Sequence, residues 1–395
     1  MLYSELTGRT EEMEFDKRKL VRKGILDIKP YIPGKPVQEV RRELGLDDVI
    51  KLASNENPLG PSSLAVEAMK SAMEQIHLYP DAECYELRRA VAESMNISPD
   101  HLIFGNGGEE IITLIGKAFI NEGDPCVISR DVYDAYETIV RIMGGAICYS
   151  DLVKHRIDLG DMLKKIDERT KLVFICNPMN PTGTIVTRQE IEHFLQDIPL
   201  KTLVVLDEAY SHFASDRNYP NGIDYVRQGR NVIVLRTFSK VYGLGGIRIG
   251  YGVADPELIQ YLRLVKEPFN VNILAQVGAL AAFRDEDHVH KTLHLIRTEK
   301  TFLYDELYAM GIEFVPSEAN FVLINVGMNA RALFQEMLKR GVIIRPGDIW
   351  NLPNFIRLTI GTREQNLRFI KALRDVRQGS AEAISNVREA RRTEG

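Results

Sequence analysis

Between Arg236 and Gly250 the chain reads Arg-Thr-Phe-Ser-Lys-Val-Tyr-Gly-Leu-Gly-Gly-Ile-Arg-Ile-Gly, directly after the apolar run Val232–Leu235. A strand followed by Thr237, Ser239 and Lys240 sets two hydroxyls and an amine at the carboxyl end of a parallel sheet, where open α/β sheets bind ligands. Gly243, Gly245 and Gly246 let backbone approach closely, and Arg248 adds a fixed cation. Together these suit a phosphate held beside a reactive lysine. A dinucleotide fingerprint starting at Gly243 would need glycine where Arg248 stands, so a Rossmann-type site is disfavoured.

Three more stretches end apolar runs in polar groups. Leu203-Val-Val-Leu-Asp207-Glu-Ala-Tyr210 finishes in a carboxylate with a phenol three residues on. A carboxylate there is costly unless it meets a cation, which a protonated pyridine nitrogen would supply, or unless it caps the next turn. In Val173-Phe-Ile-Cys-Asn177-Pro-Met-Asn180-Pro-Thr-Gly183 a proline-stiffened loop presents an amide. Asn180 either bonds a ring hydroxyl or serves, with its prolines, as a turn former. Phe104-Gly105-Asn-Gly107-Gly108-Glu109-Glu110 links a strand to a helix start, whose free N–H groups favour phosphate.

The elements that must carry these groups are legible as short apolar runs bounded by turn residues: Leu102–Phe104, Cys126–Ser129, Leu172–Cys176, Leu203–Leu206, Val232–Leu235 and Ile247–Val253. Their alternation with helical patterns predicts βαβ units and a mostly parallel sheet between helices. After Asp255 come a helix over 256–266 and a long one over most of 270–310. A compact set of strands and helices then ends with a helix over 363–376. This reads as a smaller α+β domain. Residues 1–24 and 378–395 read as charged, solvated ends.

With 45% hydrophobic and 27% charged residues in a chain of 395, the composition is that of a globular protein with room for two domains. Lys+Arg 50 against Asp+Glu 55 leaves a net charge of -5, which excludes a bulk field for nucleic acid or an anionic membrane. No run reaches the ~20 apolar residues of a membrane span. Cys84, Cys126, Cys148 and Cys176 form no CxxC pair and read as buried thiols of a reducing, cytoplasmic compartment. His290 and His294 have an i,i+4 spacing, but no HExxH accompanies them and no metal is expected.

From about Ile28 to Val376 the chain resembles the fold type I pyridoxal-phosphate aminotransferases, and within them the histidinol-phosphate aminotransferase branch. The resemblance rests on Tyr31-Ile-Pro-Gly-Lys-Pro, Lys51-Leu-Ala-Ser-Asn55-Glu-Asn57-Pro, Tyr79-Pro-Asp, Asn177-Pro-Met-Asn-Pro-Thr-Gly, Asp207-Glu-Ala-Tyr210, Thr237-Phe-Ser-Lys240, Arg248-Ile-Gly-Tyr and Phe355-Ile-Arg357-Leu-Thr-Ile-Gly-Thr. It implies an α/β fold whose large domain holds a mostly parallel seven-stranded sheet between helices, with a smaller α+β domain beside it. The boundaries expected are an N-terminal extension over 1–28, a small domain from 29–66 with 286–377, a large cofactor-binding domain over 67–285, and a tail over 378–395.

The resemblance also implies roles. Lys240 would hold the pyridoxal phosphate aldehyde and then move the substrate proton, Asp207 would pair with the ring nitrogen, and Asn180 and Tyr210 would meet the ring oxygen. Tyr133 would stack on the ring. The phosphate would sit among Gly108, Glu109, Thr237, Ser239 and Arg248, with Tyr79 arriving from the second subunit of a homodimer. Arg357 would bind substrate anions, with Asn57 and Leu59 against the substrate. The activity implied is amino transfer between histidinol phosphate and 2-oxoglutarate in histidine biosynthesis. An aromatic amino acid aminotransferase, a threonine-phosphate decarboxylase and a non-catalytic binding protein are the alternatives. Leu59, Ser211-His212, Gly107-Gly108-Glu109-Glu110 and Asp131-Val132-Tyr133 depart from common family residues, and these departures bear on the amino donor.

Overall fold

The computed structural model describes residues 16–30 and 32–393, with side chains through 379; Tyr31 lies outside the described residues. Seven strands form the large sheet: β1 Leu102–Gly105, β2 Pro125–Ser129, β3 Ala146–Ser150, β4 Leu172–Cys176, β5 Leu203–Asp207, β6 Val232–Thr237 and β7 Gly250–Val253. Their order across the sheet is β1-β7-β6-β5-β4-β2-β3. Strands β2 to β6 run parallel to their neighbours, and β7 runs antiparallel to both β1 and β6. Every residue of β4 and β5 is buried, as expected for strands covered by helices on both faces.

Parallel pairing decides where the polar groups go. Cys176 lies in register with Asp207, and Asp207 with Leu235, so the ends of β4, β5 and β6 open on one edge of the sheet. The antiparallel β7 then pairs Gly250 with Gly105 on one side and with Thr237 on the other. That register brings the glycine turn before the helix Gly108–Phe119 next to the end of β6.

A second sheet has four strands in the order β8-β9-β11-β10, with β8 Phe314–Val315, β9 Phe321–Asn325, β10 Arg345–Pro346 and β11 Phe355–Thr359, all antiparallel. The N-terminal segment is tied to this part of the chain by the parallel pair Ile50–Lys51 with Val342–Ile343. Three expectations are adjusted. The run 342–345 is two short strands, because its first half pairs with Ile50–Lys51 and its second with β11. The helical stretch 270–310 is two helices, Ile273–Arg284 and Glu286–Ala309, broken at Asp285, whose carboxylate caps the second through the His288 amide. The last helix runs on from Arg363 to Thr393 instead of fraying after 376.

Candidate active site

The carboxylate at the end of β5 is buried on the sheet edge. Asp207 is 7% exposed; its Oδ2 accepts from the Tyr136 hydroxyl at 2.5 Å and its Oδ1 from the Ala209 amide at 3.0 Å. Burial pushes its pKa up, while both donors, Tyr136 first, oppose that shift. A carboxylate so placed calls for a cation on its open side. Tyr136 belongs to the helix Ala135–Met143 and was not among the expected residues.

Lys240 follows β6 across two residues. Its Nζ stands 5.5 Å from the centre of the Tyr210 ring, and the side chain is half-buried. Burial first, then the nearby Arg357 and Arg248 cations, push its pKa down to about 8 against the weaker pull of Glu56 and Asp207. At pH 7 the neutral fraction rises from roughly 1 in 3000 to roughly 1 in 10. The Tyr210 hydroxyl accepts from Asn55 Nδ2 at 2.9 Å, and burial raises its pKa to about 12, so it stays protonated. Asn55 holds this pose with a left-handed backbone (φ 56°), its amide bonded to Thr359 at 2.8 Å.

Beside the amine lies a cradle for an anion. Gly107 has φ 86°, and a Cβ there would stand 2.3 Å from Arg248 Nη2. A Cβ on Gly250 would stand 2.5 Å from the Gly108 nitrogen. Both positions therefore require glycine, and the guanidinium and the first N–H groups of the helix Gly108–Phe119 share one small space. Arg248 is fixed by a 3.1 Å bond from Nη1 to the Gly245 carbonyl, and the Thr237 hydroxyl accepts from the Ser239 amide at 3.0 Å. The Glu109 side chain is exposed, so its part in the cradle is its backbone N–H. Arg236 is turned to other partners, bound to Glu208 at 2.7 and 3.0 Å and to Asn221 at 2.9 Å. Tyr133 reaches the same floor, meeting Tyr136 edge-on at 5.7 Å.

The small sheet supplies the opposing wall. Arg357, in the middle of β11 and 7% exposed, donates from Nη1 to Asn180 Oδ1 at 2.5 Å and from Nη2 to the Ala53 carbonyl at 2.8 Å. The rings of Trp350 and Phe321 flank it at 5.0 and 5.4 Å. Directly opposite on β10 stands Arg345, a second buried arginine that sequence reasoning missed. Opposed residues of an antiparallel pair share a face, so both side chains leave the same side of the sheet, and Arg345 Nη2 donates to the Ile32 carbonyl at 2.7 Å.

Two expected substrate contacts look different in place. Asn57 is engaged on both ends of its amide: its Nδ2 donates to the Val241 carbonyl (2.8 Å) and Thr292 (3.1 Å), and its Oδ1 accepts from the Leu59 amide (2.9 Å). These bonds tie the Lys240 loop to the helix Glu286–Ala309. Leu59 is 43% exposed at the rim. Tyr79 is 83% exposed, its ring stacked on Phe269 at 4.8 Å. Among the described residues no group of three His, Cys, Asp or Glu could hold a metal ion, and His288 Nε2 meets the Gly60 carbonyl at 3.1 Å.

Residues 47–373 match the family model for aminotransferase class I and II. A histidinol-phosphate aminotransferase of Moorella thermoacetica is 50% identical over 356 residues, spanning 90% of this chain and 92% of that one. Another, of Caldicellulosiruptor saccharolyticus, is 44% identical over 357 residues, 90% of this chain and 100% of the relative. Among solved structures, the histidinol-phosphate aminotransferase from Sinorhizobium meliloti in complex with pyridoxal-5'-phosphate matches with a TM-score of 0.84 at 26% identity. That match covers 92% of this chain and 100% of the other.

Proposed function

The chain belongs to aminotransferase class I and II, a fold type I, pyridoxal-phosphate-dependent transaminase, and from that premise we propose that it moves an amino group between histidinol phosphate and 2-oxoglutarate in histidine biosynthesis. The residues fit the cofactor. The glycine cradle beside Arg248, with Thr237 and Ser239, suits its phosphate, and the buried Asp207 suits its ring nitrogen. When bound, pyridoxal phosphate supplies an aldehyde and a ring that accepts the electron pair of the substrate Cα–H bond.

This chain's residues do the rest. The depressed pKa of Lys240 leaves a usable share of free amine that would hold the aldehyde and, once displaced by the substrate amine, would take the proton from the substrate Cα. Asp207 would pair with the ring nitrogen and favour its protonated form, and Tyr133 would lie against the ring face. The Tyr210 hydroxyl, protonated across the working range, and Asn180, whose carbonyl end already faces Arg357, are left to donate to the ring oxygen.

One observation carries the substrate: Arg357 and Arg345 stand opposite one another on adjacent strands. An amino acid needs one guanidinium fork for its carboxylate, whereas a phosphomonoester near its second ionisation carries more charge than one cation balances. Two arginines suit histidinol phosphate, and Arg357 then meets the carboxylate of glutamate in the second half-reaction. This favours the phosphate substrate over phenylalanine or tyrosine.

We further propose a cytoplasmic homodimer. Tyr79 stacks on Phe269, and both are exposed, as are Ile76, Leu78 and Tyr85 of the same stretch of chain; apolar groups left in solvent this way suit a second copy that receives Tyr79 at its phosphate cradle. Four free thiols suit a reducing compartment. The test is a panel of half-reactions with the cofactor-loaded enzyme and histidinol phosphate, phenylalanine, tyrosine or O-phosphothreonine. Histidinol phosphate is expected to give the highest kcat/KM; if an aromatic amino acid ranked first, the phosphate reading would be lost.

A further inference from the structure

We infer that Tyr136 is a positioning residue for Asp207, a built-in donor that keeps the carboxylate charged and aimed at the ring nitrogen of the cofactor. The inference rests on the proposed pairing of Asp207 with that nitrogen. Its basis is the enclosure of the hydroxyl. Tyr136 is 0% exposed, and its hydroxyl meets Asp207 Oδ2 at 2.5 Å. Its ring stacks on Phe174 of β4 at 4.9 Å with planes 17° apart, and Tyr133 abuts it edge-on at 5.7 Å. Phe174 lies two residues before Cys176, on the same face of β4, and Cys176 is in register with Asp207. The strand pairing that places the carboxylate therefore also places the wall against which the phenol rests.

The chemistry follows from which group keeps the proton. Burial first, and the neighbouring carboxylate second, push the phenol well above its ordinary value, so the proton stays on Tyr136 at any working pH. The bond is thus always O–H donating to carboxylate, a charge-assisted contact inside a dry pocket. It offsets the desolvation that would otherwise favour a neutral Asp207. A neutral carboxyl would present no charge to a protonated ring nitrogen. The Ala209 amide holds the other oxygen at 3.0 Å, which fixes the plane of the carboxylate and its direction.

Tyr136→Phe keeps the stacked ring and removes only the hydroxyl. The apoenzyme of this variant is expected to bind pyridoxal phosphate about 10-fold more weakly by equilibrium fluorescence titration, the lower end of what a hydrogen bond to a charged group contributes. The loss of affinity on acidification should begin about one pH unit higher than in the parent, because Asp207 has lost a donor to its charged form. With cofactor saturating, kcat should fall about 10-fold while KM for glutamate moves less than about 2-fold.

A structural role alone would lower the melting temperature and leave the affinity and its acid limb where they are; that result overturns the inference. Asp207→Asn separates this failure from failure of the underlying reading. If Asp207→Asn also leaves affinity and kcat unchanged, the pairing with the ring nitrogen is wrong; if it collapses both while Tyr136→Phe does not, only the role of Tyr136 is wrong. Should Tyr136→Phe not fold, Phe174→Leu loosens the ring and keeps the hydroxyl. A smaller shift in the same direction then supports the inference, and no shift overturns it.

Discussion

The large sheet and the small sheet place their functional groups by different means. On the large sheet, position is set by register: Asp207 ends β5, Thr237 ends β6, and β7 pulls the Gly107–Gly108 turn against Arg248. On the small sheet, Arg357 is placed by what it grips across the cleft, namely Asn180 at 2.5 Å. The same cleft is crossed by Asn55 to Tyr210 at 2.9 Å, by Asn351 to Asp131 at 2.7 Å, and by Glu318, whose carboxylate accepts from the Ser215 amide and, at 3.1 Å, its hydroxyl. Cofactor binding and substrate binding are therefore built from separable parts. A strand-borne group should fail all at once when changed, whereas a cleft-crossing contact should be graded.

The sharpest test of that separation is at Lys240. Lys240→Ala is expected to cut turnover by at least ~10⁴-fold and remove the visible absorbance of the loaded enzyme, with the cradle still holding the phosphate. Persistence of colour and turnover would take the central role from this residue. Arg357→Ala strikes the other side. It should raise KM for both the phosphate donor and 2-oxoglutarate by about 100-fold, near the upper range for a hydrogen bond between charged groups, and leave the affinity of apoenzyme for pyridoxal phosphate within about 2-fold. Equal damage to both affinities would erase the distinction between the two sheets.

Glu318→Gln probes a weaker contact of the same kind. Its carboxylate also accepts from the Asp216 amide at 3.3 Å, while its own amide donates to the Gly183 carbonyl at 2.7 Å. Removing the charge should raise KM for both partners by about 3- to 5-fold with kcat unchanged, in proportion to one partly solvated charge-assisted bond. Hydrogen exchange should quicken at the amides of Ser215 and Asp216. If exchange there is unaltered, Glu318 does not clasp the two parts together.

The difference between the sheets also governs what could be read from the sequence. Strands β1, β2, β4, β5, β6 and β7 announce themselves as apolar runs between turn residues, and the groups that end them lie in the same short stretch. Strand β3, Ala146–Ser150, escapes because an edge strand with mostly half-exposed residues carries no buried run. Tyr136 escapes for another reason: its bond to Asp207 spans 71 residues and depends on how the helix Ala135–Met143 settles on the sheet. Arg345 was hidden because the chain changes partners between Ile343, paired with Lys51, and Arg345, paired with Arg357. The bracing bonds of Asn57 were equally illegible, because proximity of its motif to the site says nothing about which bonds its amide forms.

A further expected effect is a change of slope with pH. The pocket that pushes Lys240 down to about 8 disfavours its ammonium form in the folded apoenzyme. Between about pH 8 and about pH 10.4, the ordinary lysine value, the unfolded chain binds this proton and the folded chain has released it. Stability rises with pH wherever the unfolded state holds more protons, so this residue's unfavourable contribution fades across that window. Lys240→Met removes the titration and keeps the length of the side chain. Below pH 8 the Met apoenzyme should be the more stable of the two by urea midpoint, and the gap should shrink steadily as pH is raised toward 10. A gap that stays constant over the window would mean that the amine titrates at its ordinary value, and the free amine near neutral pH would then need another source than burial beside Arg357 and Arg248.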